Sequence, residues 1–541
     1  MANAPKEIAV EQHKIPATVF ILAVGLITAG WMLGPRPVSD DEARISVTAR
    51  EMLASGDYIV PTFNTEPQLA PSPLPYWLTA LAAQFTGRVD AFTARLPSFI
   101  LAILSTASIL YFAQRILPFR TACLSALIWA TSFGFVSFAR NAVPAMTLTA
   151  LTATALLAFY AGLHEEHARR RVTYMLTFYI TFALAALTNL LLAVPAVLIP
   201  LIAWFTVTRS WRLCKHTMPI VGTLVFLAVL LPWPMLAARQ VGSDTLFAVW
   251  KSSMIEQFFS PGLHPAWFSV LMVFEYAAPF IAFVPLAVIA PFYKVWAETR
   301  TPMKFLWCWF VSLTVLFTIL PARDLSDILP AIPPLAILAG IIFEDLVYTR
   351  KAHTRRFIGK FFQYHVIIIL FGSIIAAALV ARYKPDILFE ACAVAVAAMV
   401  LTALLTLLFM KGKRFAACIT LFAGLAVITI LTVSLILIPI TPDTQSGLAA
   451  RASRRIPASA DVYAYGSVEP AFLHYFGRSA DVCRSVDEVQ QAYEDGAFII
   501  AFAQAGNELA KSEEFNQAAT LGTDDPTAGS VTDLRIFRKP D

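Results

Sequence analysis

Apolar residues in this chain are gathered into long runs separated by short polar connections. A helix crossing a hydrocarbon core of about 30 Å takes roughly 20 apolar residues, because every backbone amide must find its partner within the segment. Thirteen runs approach that length, at 16–34, 96–113, 122–138, 146–163, 172–187, 190–206, 218–237, 268–293, 305–320, 328–347, 362–381, 387–410 and 415–440. The first is long, and no small-x-small cleavage site follows it before Pro35, so it reads as an uncleaved span rather than a signal peptide. Two polar stretches remain, residues 35–95 and the tail 441–541. In the first, Ile45, Ala49, Met52 and Leu53 repeat with helical spacing after Ser39-Asp40-Asp41-Glu42-Ala43-Arg44. Asp41 lies four positions before Ile45 and is expected on the same apolar stripe, where a carboxylate needs a partner or a task. Ser39 and Glu42 have capping-box spacing, which offers a purely structural account of the same acids. Gly56 ends this helix, and Pro71, Pro73 and Pro75 lead into a second apolar helix at 74–85, too short to span and expected in the membrane interface. In the tail, 461–465, 497–503 and 533–538 read as strands and 485–493 as a helix.

The pattern therefore predicts a polytopic α-helical membrane protein of about thirteen transmembrane helices, with interfacial helices in the first outer loop and a small C-terminal α/β domain. The domains divide at residue 440. Composition agrees: 58% of residues are hydrophobic and 14% charged, against about 25% charged in soluble domains. A net charge of +5 gives no concentrated basic face, so no nucleic-acid partner is expected. Six scattered cysteines suggest neither a disulfide framework nor a zinc site.

Orientation follows from the short loops. Lys6, Lys14, the Arg169-Arg170-Arg171 run and the cluster from Arg350 to Lys360 belong to one side, which holds 21 Lys and Arg against 11 on the other, the tail left aside. The amino terminus is accordingly expected in the cytoplasm. An odd number of spans then places the tail outside, in the periplasm of an inner-membrane protein or its equivalent. The tail carries nine basic and fifteen acidic residues.

The run Asp41-Glu42-Ala43-Arg44, then 50–61 (Arg-Glu-Met-Leu-Ala-Ser-Gly-Asp-Tyr-Ile-Val-Pro), then Pro73-Leu74-Pro75-Tyr76-Trp77-Leu78, resembles the first periplasmic loop of the aminoarabinose transferase and protein O-mannosyltransferase family. The likeness continues through Ala139-Arg140-Asn141-Ala142, Leu187-Thr188, Leu231-Pro232-Trp233 and Arg323-Asp324 before Leu329-Pro330. These are multi-span C-superfamily glycosyltransferases. The resemblance implies transfer of a sugar from a polyprenyl-phosphate carrier to a lipid or protein acceptor on the outer face of the cytoplasmic membrane. Such chemistry needs a carboxylate to orient or deprotonate an acceptor hydroxyl and cations for the leaving phosphate. By position the resemblance assigns Asp41, with Glu42 beside it, to the catalytic acid, and Arg44, Arg140, Arg323 and Asp324 to substrate binding. For each arginine an interfacial anchor is the plainer alternative. The adjacent carboxylates of Asp41 and Glu42 also offer oxygen ligands to a divalent cation.

The chain departs from that pattern at several polar positions. Where the family carries Glu-Lys-Pro, this chain reads Gln68-Leu69-Ala70-Pro71-Ser72-Pro73; Ala145 stands in place of an aspartate, Asn189-Leu190 replaces Lys-Gly, and Asp327 takes an aromatic position. Either the substrate differs or the chain is a catalytically degenerate member that binds the carrier lipid or acts as a scaffold. Glu66, Asp57, Asp324 and Glu256 are candidates to supply a missing acid. His164-Glu165-Glu166-His167 lacks metalloprotease spacing and reads as a solvated loop.

Overall fold

A computed structural model describes residues 4–70, 72–259, 265, 267–293, 296, 299–320, 325–349, 355–441, 443–509, 519–521 and 534–539. The chain forms two compact units: residues 1–33, 70–74 and 97–440 make the first, and residues 34–69, 75–96 and 441–541 the second. Most of the first loop thus clusters with the tail.

The first unit is helical. Its opening helix, α1 (Ala4–Gly30), precedes α2 (Asp40–Ser55), α3 (Leu74–Thr86) and α4 (Ala91–Ile116) in the chain. Among the described residues, eight helices are long and apolar enough to cross a membrane, or nine if one bent pair counts as a single span. Thirteen were expected. The expected runs at 16–34, 172–187, 268–293 and 362–381 fall on helices outside that set of eight. Run 268–293 divides into Trp267–Tyr276 and Phe283–Ile289 around Pro279. The bent pair, Phe119–Ala130 and Phe133–Ala139, turns by 57° because Ser132 starts a new helix by accepting a hydrogen bond from Phe135 N.

Pro144–Leu163 and Ser326–Tyr348 are buried along almost their whole length and form the centre of this unit. Gly340 allows its helix to approach Phe119–Ala130 closely, since a Cβ there would lie 2.9 Å from the Ser125 backbone. Pro219–Val241 and the last two long helices expose most of their apolar surface, as lipid-facing helices do.

The second unit is built on a five-stranded sheet. Its strands are β3 (Val462–Tyr465), β4 (Asp481–Cys483), β5 (Phe498–Phe502), β6 (Ala519–Leu521) and β7 (Leu534–Phe537), while β1 (Thr62–Phe63) and β2 (Glu66–Pro67) form a separate hairpin. The order is β4-β3-β5-β7-β6, with β3 parallel to both neighbours and β7 antiparallel to both of its own. Strand alternation sends Val462, Ala464, Ile500 and Phe502 to one face, where they pack with Phe472, Phe476 and, from α2, Val47. Ile499, Ala501 and Phe537 face the other side with Val489. The expected helix appears as Val486–Glu494, capped by Ser485.

Candidate functional site

The start of α2 is fixed by local chemistry first. Ser39 Oγ accepts from Glu42 N and the Glu42 carboxylate accepts from Ser39 N at 3.0 Å, a complete capping box. Three acids, Asp40, Asp41 and Glu42, occupy the first turn, where the helix dipole favours negative charge. Gly56, at φ 72°, closes the other end in the left-handed conformation.

The three acids then part company. Glu42 is 1% exposed. Its Oε1 accepts from Arg36 Nη2 at 2.8 Å and Arg95 Nε at 2.7 Å, and its Oε2 accepts from Arg95 Nη2 at 2.9 Å. Burial alone would raise this carboxyl's pKa. The Arg95 hydrogen bonds and the charges of Arg36 and Arg95 outweigh it and hold the group below its ordinary value. Asp40 Oδ1 accepts from Ala471 N at 3.1 Å, at the start of the helix Pro470–Phe476. Asp41 is exposed, not on the buried stripe. The buried arc runs through Glu42, Ile45, Ser46, Ala49 and Met52, and Asp41 lies past its edge.

Both oxygens of Glu42 are therefore held by guanidinium groups, which gives this acid a structural duty at the start of α2. Among the described residues no group of three or more His, Cys, Asp or Glu side chains is placed to hold a metal ion.

Arg44, one helical step from Asp41 at i+3, is also exposed, with its guanidinium 5.0 Å from the Phe63 ring centroid. A carboxylate and a guanidinium therefore share one exposed face at the beginning of α2. Further along, Arg50 donates to the carbonyls of Leu473 at 3.0 Å and His474 at 3.1 Å, satisfying acceptors late in the helix Pro470–Phe476. Ser46 Oγ and His474 Nδ1 are 2.6 Å apart in the buried contact between the two helices. The hairpin is held to the tail by Asn64 Oδ1 accepting from Ala480 N at 2.8 Å, and α2 by Glu51 accepting from Ser479 Oγ at 2.6 Å.

In the first unit Arg140 is 6% exposed and donates to the carbonyls of Ala29 at 3.5 Å and Met32 at 3.2 Å, acceptors left over where α1 ends. Arg323 and Asp324 lie outside the described residues. Of the positions that depart from the family pattern, Ala145 is buried and Asn189 caps the helix Leu190–Thr208, its Oδ1 accepting from Leu192 N at 3.2 Å. The substitute acids have local duties. Glu66 pairs with Arg484 at 2.7 Å, and Asp57 Oδ1 accepts from Ile59 N at 2.8 Å. Glu256 is exposed on the helix Ser243–Phe259.

Sequence reasoning missed Arg95 and Arg36 as partners of Glu42. A lone arginine at the border of an apolar run was the available signal, since such a charge is buried only with a partner.

With this geometry in place, the chain can be compared with known proteins. It resembles the multi-span C-superfamily glycosyltransferases. Within them the likeness is to the aminoarabinose transferase and protein mannosyltransferase group. Residues 69–235 match the family described as dolichyl-phosphate-mannose-protein mannosyltransferase. The undecaprenyl phosphate-α-4-amino-4-deoxy-L-arabinose arabinosyl transferase of Edwardsiella ictaluri is 25% identical over 311 residues, 56% of this chain and 55% of that protein. Its counterpart from Photorhabdus laumondii is 25% identical over 348 residues, covering 61% of this chain and 60% of its own length. The chain thus spans somewhat over half the length of these curated relatives. In fold it is similar to ArnT from Cupriavidus metallidurans bound to undecaprenyl phosphate, with TM-score 0.81, 19% identity, and coverage of 97% of this chain and 99% of that one. It is more distantly similar to the archaeal oligosaccharyltransferase AglB of Archaeoglobus fulgidus, with TM-score 0.53, 10% identity and coverage of 90% and 69%.

Proposed function

We propose that this protein transfers a sugar from a polyprenyl-phosphate carrier to a lipid or protein acceptor on the outer face of the cytoplasmic membrane. In this reading the amino terminus is cytoplasmic, the second unit lies outside, and α3 rests in the interface with Leu81 and Phe85 exposed on one face. The observation that carries it is the beginning of α2. There Asp41 is exposed beside Arg44 while Asp40 and Glu42, on either side, hold the helix start in place. A carboxylate so fixed can orient or deprotonate an acceptor hydroxyl, and a guanidinium one helical step away matches a phosphate oxygen pair. The arabinosyl transferases named above are relatives for which undecaprenyl phosphate carries the sugar, and the ArnT structure binds that lipid.

The test is a deletion strain complemented with wild type or Asp41→Asn, compared for sugars on envelope lipid and protein. The variant should lose a modification that wild type restores. An unchanged profile would sink the reading.

A second reading is favoured by Ala145 and Asn189, because a buried methyl group and a helix cap occupy positions where the family has an acid and a lysine. It makes the protein a degenerate member that retains the carrier without turning it over. Purified protein would then keep undecaprenyl phosphate in native mass spectra, yet the envelope sugars of the deletion strain would match those of wild type.

A further inference from the structure

Arg95 lies in the second turn of α4 and is 1% exposed. It offers five N–H donors in a rigid fork, and all five have acceptors. Nε and Nη2 reach the two oxygens of Glu42 at 2.7 and 2.9 Å. The remaining donors reach main-chain carbonyls of the segment between α1 and α2: Gly34 at 3.5 Å and Arg36 at 2.9 Å from Nη1, and Pro37 at 2.9 Å from Nη2. Arg36 closes the cluster by donating its own side chain to Glu42 at 2.8 Å.

One buried guanidinium therefore ties the chain before α2 to the third residue of α2. The connection from residue 34 to residue 39 is held by Arg95 at three of its carbonyls, and the helix it leads into is held at Glu42. The residue enclosed by these attachments and the Asp40 bond to Ala471 N is Asp41. Its neighbour Glu42 is fixed by charge-assisted hydrogen bonds to the buried Arg95, so a shift of the first turn of α2 works against them.

We propose that Arg95 is a positioning residue for the candidate site, setting through Glu42 the direction in which α2 presents Asp41. The inference rests on the sugar-transfer reading for its consequence in turnover, and on geometry alone for its consequence in structure. Lysine cannot replace Arg95 fully, because a point charge can meet Glu42 but cannot also span the carbonyls of Arg36 and Pro37.

The experiment uses the full-length protein in lipid nanodiscs and two readouts. The variants are Arg95→Lys and the paired Glu42→Met/Arg95→Met, which removes both fully buried charges and leaves Arg36, whose side chain is 18% exposed, to turn toward water. The first readout is amide hydrogen exchange. In the paired variant, residues 38–43 should exchange at least about tenfold faster while residues 498–502 keep their protection, and Arg95→Lys should fall between. The second is gene-dependent sugar transfer from undecaprenyl-phosphate-linked aminoarabinose and from the native carrier-lipid extract. Here kcat should fall at least about tenfold with KM for the carrier within about twofold, and Arg95→Lys should recover part of the loss.

Unchanged exchange at 38–43 overturns the proposal, and so does faster exchange with an unaltered kcat. Absence of gene-dependent transfer by wild type overturns the sugar-transfer reading instead, and normal transfer by Asp41→Asn overturns the part given to Asp41 in it. The exchange measurement then decides by itself whether Arg95 fixes the start of α2.

Discussion

Cutting away one side of the Glu42–Arg95 pair strands the other charge in a place water cannot reach. Glu42→Ala is expected to destabilise the second unit by roughly 3–5 kcal/mol, whereas the paired methionine variant should lie much closer to wild type. Asp41→Asn, at an exposed position, should stay within about 0.5 kcal/mol. Denaturant unfolding of the full chain, followed by exchange at residues 498–502, separates the three. A stability for Glu42→Ala equal to that of Asp41→Asn would contradict the burial described above. The capping box was legible in the sequence because its two members are three residues apart and its geometry is local. The pairing of Glu42 with Arg95 was not: 53 residues separate them, and nothing in either neighbourhood announces the other. Placing Asp41 on the apolar stripe failed for a related reason. Spacing locates a stripe to within one position at its edge, and here that one position decides which acid is buried.

The contact between α2 and the helix Pro470–Phe476 carries its own response to acid. His474 is buried against Ser46, and burial, with Arg50 and Arg95 nearby, lowers its pKa to about 4. The unfolded chain, with an ordinary histidine, binds a proton near pH 6.5 that the folded chain refuses until about pH 4. This contribution to stability is therefore complete above pH 6.5 and falls as the pH drops through that window, by roughly 3 kcal/mol in all. Amide exchange in residues 43–50 and 470–476, corrected for intrinsic rate, should accelerate between those limits. His474→Asn, which does not titrate, should flatten the profile; an identical pH dependence in the variant would refute the assignment. At the same scale, Ser39→Ala removes the N-cap and should cost about 1 kcal/mol, seen as fraying of the first turn of α2. The strands β3, β5 and β7 could be read from their alternation and apolar content. β4, β6 and the β1–β2 hairpin could not, being two or three residues long and held by hydrogen bonds to distant segments.

At the scale of the molecule, hydropathy alone conveyed a many-helix membrane protein, because long apolar runs have few alternatives in lipid. It did not convey where helices break, as at Ser132 and Pro279, nor that the first loop shares a core with the tail. Val47 packs among tail residues, and Phe63 lies against the same cluster. A chain ending at residue 440 should consequently leave residues 34–69 without their core. Limited proteolysis from the side bearing this loop should cut within that stretch at least about tenfold faster than in the full chain. Equal cutting would mean the loop folds unaided.

That shared core also constrains how the polypeptide is laid into the bilayer. Residues 34–69, 75–96 and 441–541 can join in one unit only if they emerge on the same side, so an even number of crossings must separate the early portion from the tail. During synthesis the early portion leaves the ribosome more than three hundred residues before its partner, its apolar positions unmatched until the last helix has been inserted. A polypeptide with one crossing omitted or added would have these two halves on opposite sides of the bilayer, where they could not join.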